Sequence, residues 1–248
     1  MIIIDSSTLN KDKIIKMTNR FKKLIHKKTT TSTNNYALNY VKSNNEEVIV
    51  ISDEQTGGRG KGDRKFLSPK DKGIYMSIGL KSDTKSSILL FAITSIAIIK
   101  ALKSYNINAE IKWPNDININ KKKISGTLIE SFCVSDKPEL FSIVGIGINL
   151  YNDENMLRNL NGIASSIEKE CEKYINKTEF IIRLLNCFEN LLLTDKNEII
   201  SEYKKYLGKD GYQTVEFKGK NIICKIKGIT KEGIAYAETK DNKLLNLY

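Results

Sequence analysis

A basic, glycine-rich stretch between two β-type runs is the first feature of this sequence that could do chemistry. Residues 53–69 read DEQTGGRGKGDRKFLSP, with glycines at 57, 58, 60 and 62 among the basic residues Arg59, Lys61, Arg64 and Lys65. Glycine lets a backbone approach a ligand closely and turn its N–H groups toward anionic oxygens. The stretch matches neither a Walker loop nor a dinucleotide fingerprint. It predicts a loop that binds a phosphate-bearing ligand, with a flexible basic surface loop as the alternative.

Two lysines that flank a predicted hairpin form the second feature. Lys112 begins KWPND (112–116), and Lys123 follows eleven residues later in KKISGTLIE. Neighbouring antiparallel strands lie about 5 Å apart, so both ammonium groups could converge on one carboxylate or phosphate. Two solvated lysines in a lysine-rich chain are the alternative.

Alternating glycines and a shortage of histidine complete the chemical inventory. GIGIN (145–149) ends an apolar run, and glycines at this spacing in a strand leave room for a ligand or another backbone. The single histidine, His26, is expected to be an exposed surface group. The four cysteines form no Cys-x-x-Cys pair, so we predict neither a zinc site nor a disulfide framework, and no resident metal.

The elements that must position these residues follow from apolar periodicity and turn signals. We predict helices over residues 11–26, 29–41, 83–105, 176–193 and 195–207. We predict strands over residues 48–51, 73–80, 109–113, 116–120, 124–132 and 140–150. From Gly211 onward the pattern changes to short β runs, which marks a small C-terminal β domain. Strands with helices inserted in blocks indicate an α+β protein.

Composition bounds the partners and the compartment. The chain has 248 residues, 40% of them hydrophobic, and a formal charge of +11. Such a charge favours anionic partners or substrates, although a general lysine bias would produce it too. The longest apolar run (86–99) is shorter than the roughly 20 residues of a membrane span, and no secretory signal is visible. We therefore expect a soluble cytoplasmic protein without membrane contact.

The three motifs, in this order, resemble the biotin protein ligase family. The matching residues are STN (32–34), Gln55, GGRGKGDRKF (57–66), KWPND (112–116), KKISGTLIE (122–130) and GIGIN (145–149). The resemblance implies a mixed-sheet catalytic domain of the biotin/lipoate ligase type over residues 1–207 and a small C-terminal β-barrel over 208–248. It implies that biotin and MgATP give biotinyl-5′-AMP, whose biotinyl group passes to one lysine of a biotin carboxyl carrier domain.

The resemblance also implies roles for individual residues. Those expected to bind biotin are Ser32, Thr33, Asn34, Gln55, Gly58, Arg59, Gly60, Lys123 and Gly126. Those expected to bind ATP or the adenylate are Lys61, Arg64, Phe66, Lys112, Trp113, Asn115 and Asn149. The catalytic residues would be Lys112, Arg59 and Asp116, with Mg2+ entering as the counter-ion of ATP.

The chemistry of adenylation agrees with this residue set independently. Attack of a carboxylate on the α-phosphate brings two anions together, so the site needs cations and N–H donors aimed at the transition state. Positioning and electrostatics suffice for such a step, and histidine is not required.

The sequence shows three departures from the family loop, which commonly reads Gly-Arg-Gly-Arg-x-Gly-Arg with a tryptophan nearby. Lys61 replaces the second arginine, Gly62-Asp63 replaces the usual x-Gly, and Phe66 stands at the tryptophan position. Lysine keeps the charge but loses bidentate phosphate geometry, which predicts weaker adenylate retention. The segment before Thr29 is too short for the winged helix-turn-helix of bifunctional members, so we expect no repressor function. A homodimer through an exposed sheet edge is compatible with the resemblance.

Two other readings are weaker. A lipoate or octanoate ligase or transferase would share the fold, but those enzymes lack the GRG loop coupled to KWPND, and transferases need a nucleophilic cysteine. Cys133 lies in no such context. A nucleic-acid-binding module rests on charge alone, because no recognition helix or base-stacking aromatic pattern is evident.

Overall fold

The computed structural model describes residues 9–62, 64–82, 87–133, 139–151, 163–208, 211–230 and 234–247. The helices are α1 (Lys11–Lys16), α2 (Thr33–Asn44), α3 (Ser87–Lys103), α4 (Ile167–Cys171), α5 (Lys177–Leu192) and α6 (Lys196–Tyr206). The strands of the first sheet are β1 (Leu24–Thr30), β2 (Val48–Gln55), β3 (Gly73–Lys81), β4 (Glu110–Lys112), β5 (Asp116–Ile119), β6 (Lys122–Cys133) and β7 (Leu140–Asn149). Those of the second are β8 (Gln213–Phe217), β9 (Lys220–Ile229), β10 (Ala235–Thr239) and β11 (Leu244–Leu247). This order confirms the α+β class.

The larger sheet is mixed, in the order β1-β2-β3-β7-β6-β5-β4. β1 and β2 are parallel, and α2 supplies the crossover that a parallel pair requires. The other neighbouring pairs are antiparallel. The sheet ends at β1 and β4, so it has the edges that a homodimer would need, while the dimer itself stays a prediction.

The VIVI run at the start of β2 shows how the sheet separates two apolar layers. Val48 and Val50 pack against α2 on one face, in a small cluster. Ile49 and Ile51 belong to the main core, which contains α3 and α5. All four side chains are buried, as the unbroken apolar run predicts for a strand covered on both faces.

The predicted first helix (residues 11–26) is wrong beyond its first turns. α1 ends at Lys16, and the chain from Leu24 forms β1. A contact distant in sequence supports this break, because the buried carboxylate of Glu189 in α5 accepts the backbone N–H groups of Asn19 (2.9 Å) and Arg20 (3.1 Å). A local pattern could not reveal that partner.

The expectation that His26 is an exposed surface group is also wrong. His26 lies in β1, and its Nε2 is 2.7 Å from Oδ1 of Asp53 in the parallel neighbour β2. Both side chains are only 24% exposed. The histidine therefore contributes to the β1–β2 pair and lies outside the lining of the cleft described below.

The remaining predicted elements are present with shifted ends, apart from the predicted start of the helix over 83–105, which lies outside the described residues. The predicted hairpin joins β5 to β6, with its turn at Asn120 and Lys121, which both have positive φ. The short helix α4, capped by Ser166, was not predicted. None of the helices in the described ranges combines the length and the hydropathy that a bilayer crossing requires.

The small C-terminal β unit is a four-stranded antiparallel sheet in the order β11-β10-β9-β8. Before it enters this sheet, the chain runs beside β4, and the Gly208 N–H donates to the carbonyl of Ile111 at 2.9 Å. Buried residues of this sheet, including Val215 and Cys224, join the main apolar core. The division at residue 207 stays a prediction.

Candidate functional site

A cleft of about 1000 Å3 opens beside the N-terminal end of α2. Most residues singled out from the sequence line it: Ser32, Thr33, Asn34, Gln55, Arg59, Gly60, Lys61, Arg64, Phe66, Lys112, Trp113, Asn115, Asp116, Lys123 and Gly126. The fold thus brings together motifs that lie up to about a hundred residues apart in the sequence.

The outward face of β7 explains where the cleft begins. Phe141 and Ile143 point toward α2 and are buried with it. The next two residues on that face are Gly145 and Gly147, where the α2 layer gives way to the cleft. A Cβ at Gly145 would lie 2.1 Å from Oδ1 of Asn34, and one at Gly147 would lie 2.5 Å from the ring of Phe66. The two glycines therefore admit side chains of the site itself.

Four residues on neighbouring strands form a row across the sheet, and all of them line the cleft. Lys112 in β4 pairs with Asp116 in β5. Asp116 pairs with Gly126 in β6, and Gly126 pairs with Gly147 in β7. Directly opposite residues of antiparallel strands share a face, with Cβ atoms about 5 Å apart. The row therefore places a cation and a carboxylate beside an open stretch of backbone.

Lys123 reaches this face because β6 contains a bulge. In a regular strand Lys123 and Gly126, three positions apart, would face opposite sides. The register shifts between Ile117 and Asn118, so that Asn118 pairs with Lys123. A bulge of this kind re-aims a side chain. Nζ of Lys123 consequently lies 2.6 Å from Oδ1 of Asp116.

A network of uncharged polar groups lies at the α2 end of the cleft. Oε1 of Gln55 accepts the backbone N–H of Thr33 at 2.8 Å and its hydroxyl at 3.0 Å. Nε2 of Gln55 donates to Oγ of Ser68 at 2.8 Å. The buried hydroxyl of Ser77 lies 2.7 Å from Oγ1 of Thr33 and 2.6 Å from Oδ1 of Asn34. The fixed hydroxyl and amide groups suit a neutral polar ligand group.

The entry to α2 holds these groups in place. Ser32 is the N-cap residue, with an extended backbone and a side chain that accepts the N–H of Asn35 at 3.5 Å. Serine and threonine are favoured at this position because the hydroxyl satisfies a free backbone donor. Thr33 and Asn34 are the first helical residues and are almost fully buried.

The glycine-rich stretch forms a short hairpin over the cleft. Gly60 N–H donates to the carbonyl of Arg64 at 2.7 Å, and Phe66 N–H donates to the carbonyl of Gly58 at 2.9 Å. Gly62, with φ of 64°, lies at the tip. A Cβ at Gly58 would lie 2.3 Å from the carbonyl oxygen of Phe66, so the two arms need this glycine to approach each other. Asp63, one of the residues that depart from the family loop, lies outside the described residues.

Charged side chains of this hairpin contact two other elements. The guanidinium of Arg59 donates to both carboxylate oxygens of Glu130 in β6, at 2.6 and 3.3 Å, and to Oδ1 of Asn35 at 2.6 Å. Nζ of Lys61 lies 3.3 Å from a carboxylate oxygen of Glu216 in β8. The hairpin is therefore fastened to the first sheet and touches the second.

A buried tyrosine, Tyr203, forms a hydrogen bond with the backbone of the KWPND segment. The hydroxyl of Tyr203 donates to the carbonyl of Pro114 at 2.6 Å, and burial raises the pKa of that hydroxyl well above its usual value. It therefore stays protonated and donates throughout the ordinary pH range. Nδ2 of Asn115 donates to the carbonyl of Thr127 at 2.5 Å, and the Trp113–Pro114 peptide bond is cis.

Two residues expected in the site do not line the cleft. Gly58 lies at the base of the hairpin, where it makes the backbone contact with Phe66. Asn149 is buried at the end of β7 and donates its Nδ2 to the carbonyl of Ser165 at 3.0 Å. A ligand contact at either residue stays a prediction.

Several residues of the site were not predicted. Glu130 ends the motif KKISGTLIE, yet the sequence did not indicate its contact with Arg59. Glu130 itself is not a lining residue, whereas the lining residues without an individually predicted role include Phe91, Thr127, Thr214, Val215, Glu216 and Asn221. The last four come from the C-terminal sheet, and a sequence signal for such a long-range approach is absent. Across the described ranges, no three His, Cys, Asp or Glu residues form a group that could hold a metal ion.

The fold and the motifs both have counterparts in known proteins. Residues 26–149, half of the chain, match the biotin/lipoate A/B protein ligase family. A bifunctional ligase/repressor BirA of Bacillus subtilis is 33% identical over 171 residues, which are 67% of this chain and 52% of that protein. The biotin–protein ligase of Homo sapiens is 25% identical over 217 residues, covering 81% of this chain and 30% of that protein. The aligned region thus spans about half of the bacterial relative's length.

Among solved structures, the biotin protein ligase of Aquifex aeolicus in complex with biotin and ATP superposes with a TM-score of 0.76. It is 25% identical, and the match covers 92% of this chain and 96% of that one. A biotin protein ligase of Leishmania major in complex with biotinyl-5-AMP, 22% identical with a TM-score of 0.64, shares the fold. Because the family model matches half of the chain and its motifs line one cleft, this chain belongs to the biotin/lipoate A/B protein ligase family.

Proposed function

We propose that the chain is an ATP-dependent biotin protein ligase, which forms biotinyl-5′-AMP and transfers the biotinyl group to a lysine of a carrier domain. The observation that carries this proposal is the composition of one cleft. It combines uncharged donors and acceptors around Thr33, Asn34 and Gln55 with the lysines of the sheet, Lys112 and Lys123. Biotin has a neutral polar ring and a carboxylate on a short apolar chain, and therefore needs both kinds of group.

The polar end favours biotin over lipoate or octanoate. A urea group has two N–H donors and a carbonyl acceptor, which hydroxyl and amide side chains can satisfy. A dithiolane or an alkyl end offers no comparable hydrogen bonds and would gain nothing from these hydroxyl and amide groups. Thr33 and Asn34 are only 3% and 5% exposed, and their bonds to Gln55, Ser77 and Glu130 hold their polar atoms in fixed positions.

In the first step, a carboxylate oxygen of biotin forms a bond to the α-phosphorus of ATP. The bond from that phosphorus to the bridging oxygen breaks, and pyrophosphate leaves with its electron pair. Lys123 and Lys112 offset the charge of the two anions that meet, and backbone N–H groups of the glycine-rich hairpin add fixed dipoles. The row from Lys112 to Gly147 supplies the surface along which the reacting groups align.

Mg2+ enters with ATP as the counter-ion of its phosphates. Asp116 and Asn115 both line the cleft and offer carboxylate and amide oxygens, which Mg2+ prefers together with substrate phosphates and water. Since Nδ2 of Asn115 donates to Thr127, its Oδ1 is the atom that suits a cation. These residues fit a magnesium ion held mainly by the nucleotide.

In the second step, the neutral ε-amine of an acceptor lysine attacks the acyl carbon of the adenylate, and AMP leaves. Asp116, next to both Lys112 and Lys123, is a group that could accept the proton lost by the amine. The proposed acceptor is a biotin carboxyl carrier domain. The reactive anhydride needs shielding from water until this partner arrives, which we assign to the hairpin.

The proposal is tested by ATP–pyrophosphate exchange. Radiolabelled pyrophosphate should enter ATP only when biotin is present, because the exchange requires reversible formation of biotinyl-AMP. Lipoate and octanoate serve as matched carboxylate substrates and should support little exchange. Exchange with lipoate but not with biotin would overturn the assignment of substrate, and exchange with none of them would overturn the ligase activity.

A further inference from the structure

Glu130 joins the glycine-rich hairpin to the polar end of the cleft. Its Oε1 accepts from Nη2 of Arg59 at 2.6 Å, and its Oε2 accepts from Nη1 of Arg59 at 3.3 Å. Oε2 also accepts from Nδ2 of Asn34 at 2.9 Å. Three N–H donors from two separate elements thus converge on one carboxylate.

The pair is more than an ordinary surface ion pair. Exposed pairs contribute little to stability, but bidentate arginine–carboxylate geometry within a network is the exception. Here the carboxylate is 31% exposed, and the amide it shares belongs to Asn34, which is buried. Arg59 also donates to Asn35 at 2.6 Å, so its guanidinium is held from two sides.

The contact also sets the orientation of the Asn34 amide. Since Nδ2 donates to Glu130, Oδ1 faces the hydroxyl of Ser77 at 2.6 Å. Gly145 leaves the space in which this amide lies. The orientation of the polar groups that face a ligand ring therefore depends on the Glu130 carboxylate, which is not itself part of the cleft lining.

We infer that Glu130 is a positioning residue for the proposed ligase reaction, which holds Arg59 over the cleft and fixes the Asn34 amide. It acts through these two side chains and touches no reacting atom. This inference rests on the proposed function. It predicts that loss of Glu130 loosens the hairpin and lets biotinyl-AMP escape before transfer.

Glu130→Gln is the variant that isolates this role. A glutamine has nearly the same shape but only one acceptor oxygen, so it cannot serve both Arg59 and Asn34 as the carboxylate does. Glu47→Gln is the matched control, because Glu47 forms a bidentate pair with Arg20 away from the cleft, with nitrogen–oxygen distances of 2.5 and 3.0 Å. Urea unfolding of both variants checks that they fold.

The first readout needs no catalysis. Trypsin cleavage after the basic residues at 59, 61, 64 and 65, followed by mass spectrometry, reports opening of the hairpin. We expect Glu130→Gln to be cleaved there about tenfold faster than wild type, as for loss of a charge-assisted hydrogen bond, and Glu47→Gln to match wild type. Equal cleavage of Glu130→Gln and wild type would overturn the role of Glu130 in holding the hairpin.

The second readout is the ratio of biotinyl-AMP released to biotin transferred to a carrier domain. It should rise about tenfold in Glu130→Gln, and much of this rise should vanish when Arg59→Ala is already present, since the two residues act as one unit. A full, independent effect of Glu130→Gln in the Arg59→Ala background would overturn the inference. If wild type makes no biotinyl-AMP, the proposed function fails, while the cleavage experiment still decides whether Glu130 holds the hairpin.

Discussion

The ammonium nitrogen of Lys123 lies 2.6 Å from the carboxylate of Asp116, although the two side chains belong to different strands and a bulge is needed to bring them to one face. The side chains are 32% and 26% exposed, so both remain accessible from the cleft. In the proposed reaction, the biotin carboxylate binds beside this pair. Asp116 orients the lysine, and Lys123 keeps one cation beside the reacting groups.

Lys123→Ala should weaken biotin binding by about 1.5–3 kcal/mol, the range for a hydrogen bond to a charged group. The loss also leaves Asp116 without its partner, which repels an incoming carboxylate. Isothermal titration calorimetry with biotin measures the effect. Lys28→Ala, at an exposed position of β1 outside the cleft, removes the same charge and should bind as wild type. Unchanged affinity in Lys123→Ala would mean that the lysine is a solvated hairpin residue.

Gly145→Ala should both destabilise the protein and weaken biotin binding. The added methyl group would lie 2.1 Å from Oδ1 of Asn34, and hydrogen bonds with Ser77 and Glu130 restrict the movement of that amide. Overpacking of this kind costs about 1–3 kcal/mol of unfolding free energy. Urea denaturation and calorimetry measure the two effects.

Gly147→Ala is the natural comparison for Gly145→Ala. There the added methyl group would meet the far end of the Phe66 ring at 2.5 Å, and this side chain can swing aside. We expect a smaller loss of stability but a changed adenylate affinity. A larger loss of stability in Gly147→Ala than in Gly145→Ala would contradict this account of the two glycines.

Tyr203→Phe should cost about 1 kcal/mol of unfolding free energy, because it removes the hydrogen bond that the buried tyrosine hydroxyl donates to the part-buried Pro114 carbonyl. Because the pKa of Tyr203 is raised, its hydroxyl stays protonated and donates between pH 6 and 9. The loss of unfolding free energy in Tyr203→Phe should therefore be the same across this pH range. Tyr206→Phe, on the same helix, removes a hydroxyl whose contact with Nζ of Lys103 at 3.3 Å is exposed, and should remain within about 0.5 kcal/mol of wild type. Equal stability of the two variants would show that the bond to Pro114 contributes nothing.

Arg59→Ala should slow adenylation and release the intermediate. The substitution removes a charged donor from the hairpin that we assign to shielding the anhydride. Free biotinyl-AMP acylates any accessible lysine, so labelling of the carrier domain should fall while indiscriminate labelling of other proteins persists or rises. Streptavidin blotting of a lysate that contains the carrier domain separates the two. A variant that matches wild type in both rate and selectivity would remove the hairpin from this role.

The sequence predicted most of the site residues because each motif is a short, local pattern. Which motifs meet in space could be predicted only for strands that follow one another in the sequence. The pairing of β4, β5 and β6 brings Lys112 and Lys123 to Asp116. The sequence predicted that the two lysines could converge, but not that Asp116 would lie between them. The bulge that turns Lys123 to the correct face had no signal of its own. Strand alternation alone would have placed it on the opposite face from Gly126.

Contacts between distant segments account for what the sequence missed. Glu189 satisfies the backbone where the predicted first helix breaks, and it stands about 170 residues away from that break. Glu130 of β6 and Glu216 of the C-terminal sheet contact the hairpin only because the fold brings these two elements and the hairpin to one cleft. The room left by Gly145 and Gly147 was predicted, but its occupants, Asn34 and Phe66, come from outside their strand.

The most direct test of the central claim is intact-mass spectrometry of a biotin carboxyl carrier domain after incubation with this protein, biotin and MgATP. The account predicts that the carrier gains the mass of one biotinyl group at a single lysine, and that biotinyl-AMP is detected when the carrier is left out. Reactions without ATP, or with lipoate in place of biotin, should leave the carrier unchanged. A carrier of unchanged mass in the complete reaction, with no biotinyl-AMP formed in its absence, would contradict the account.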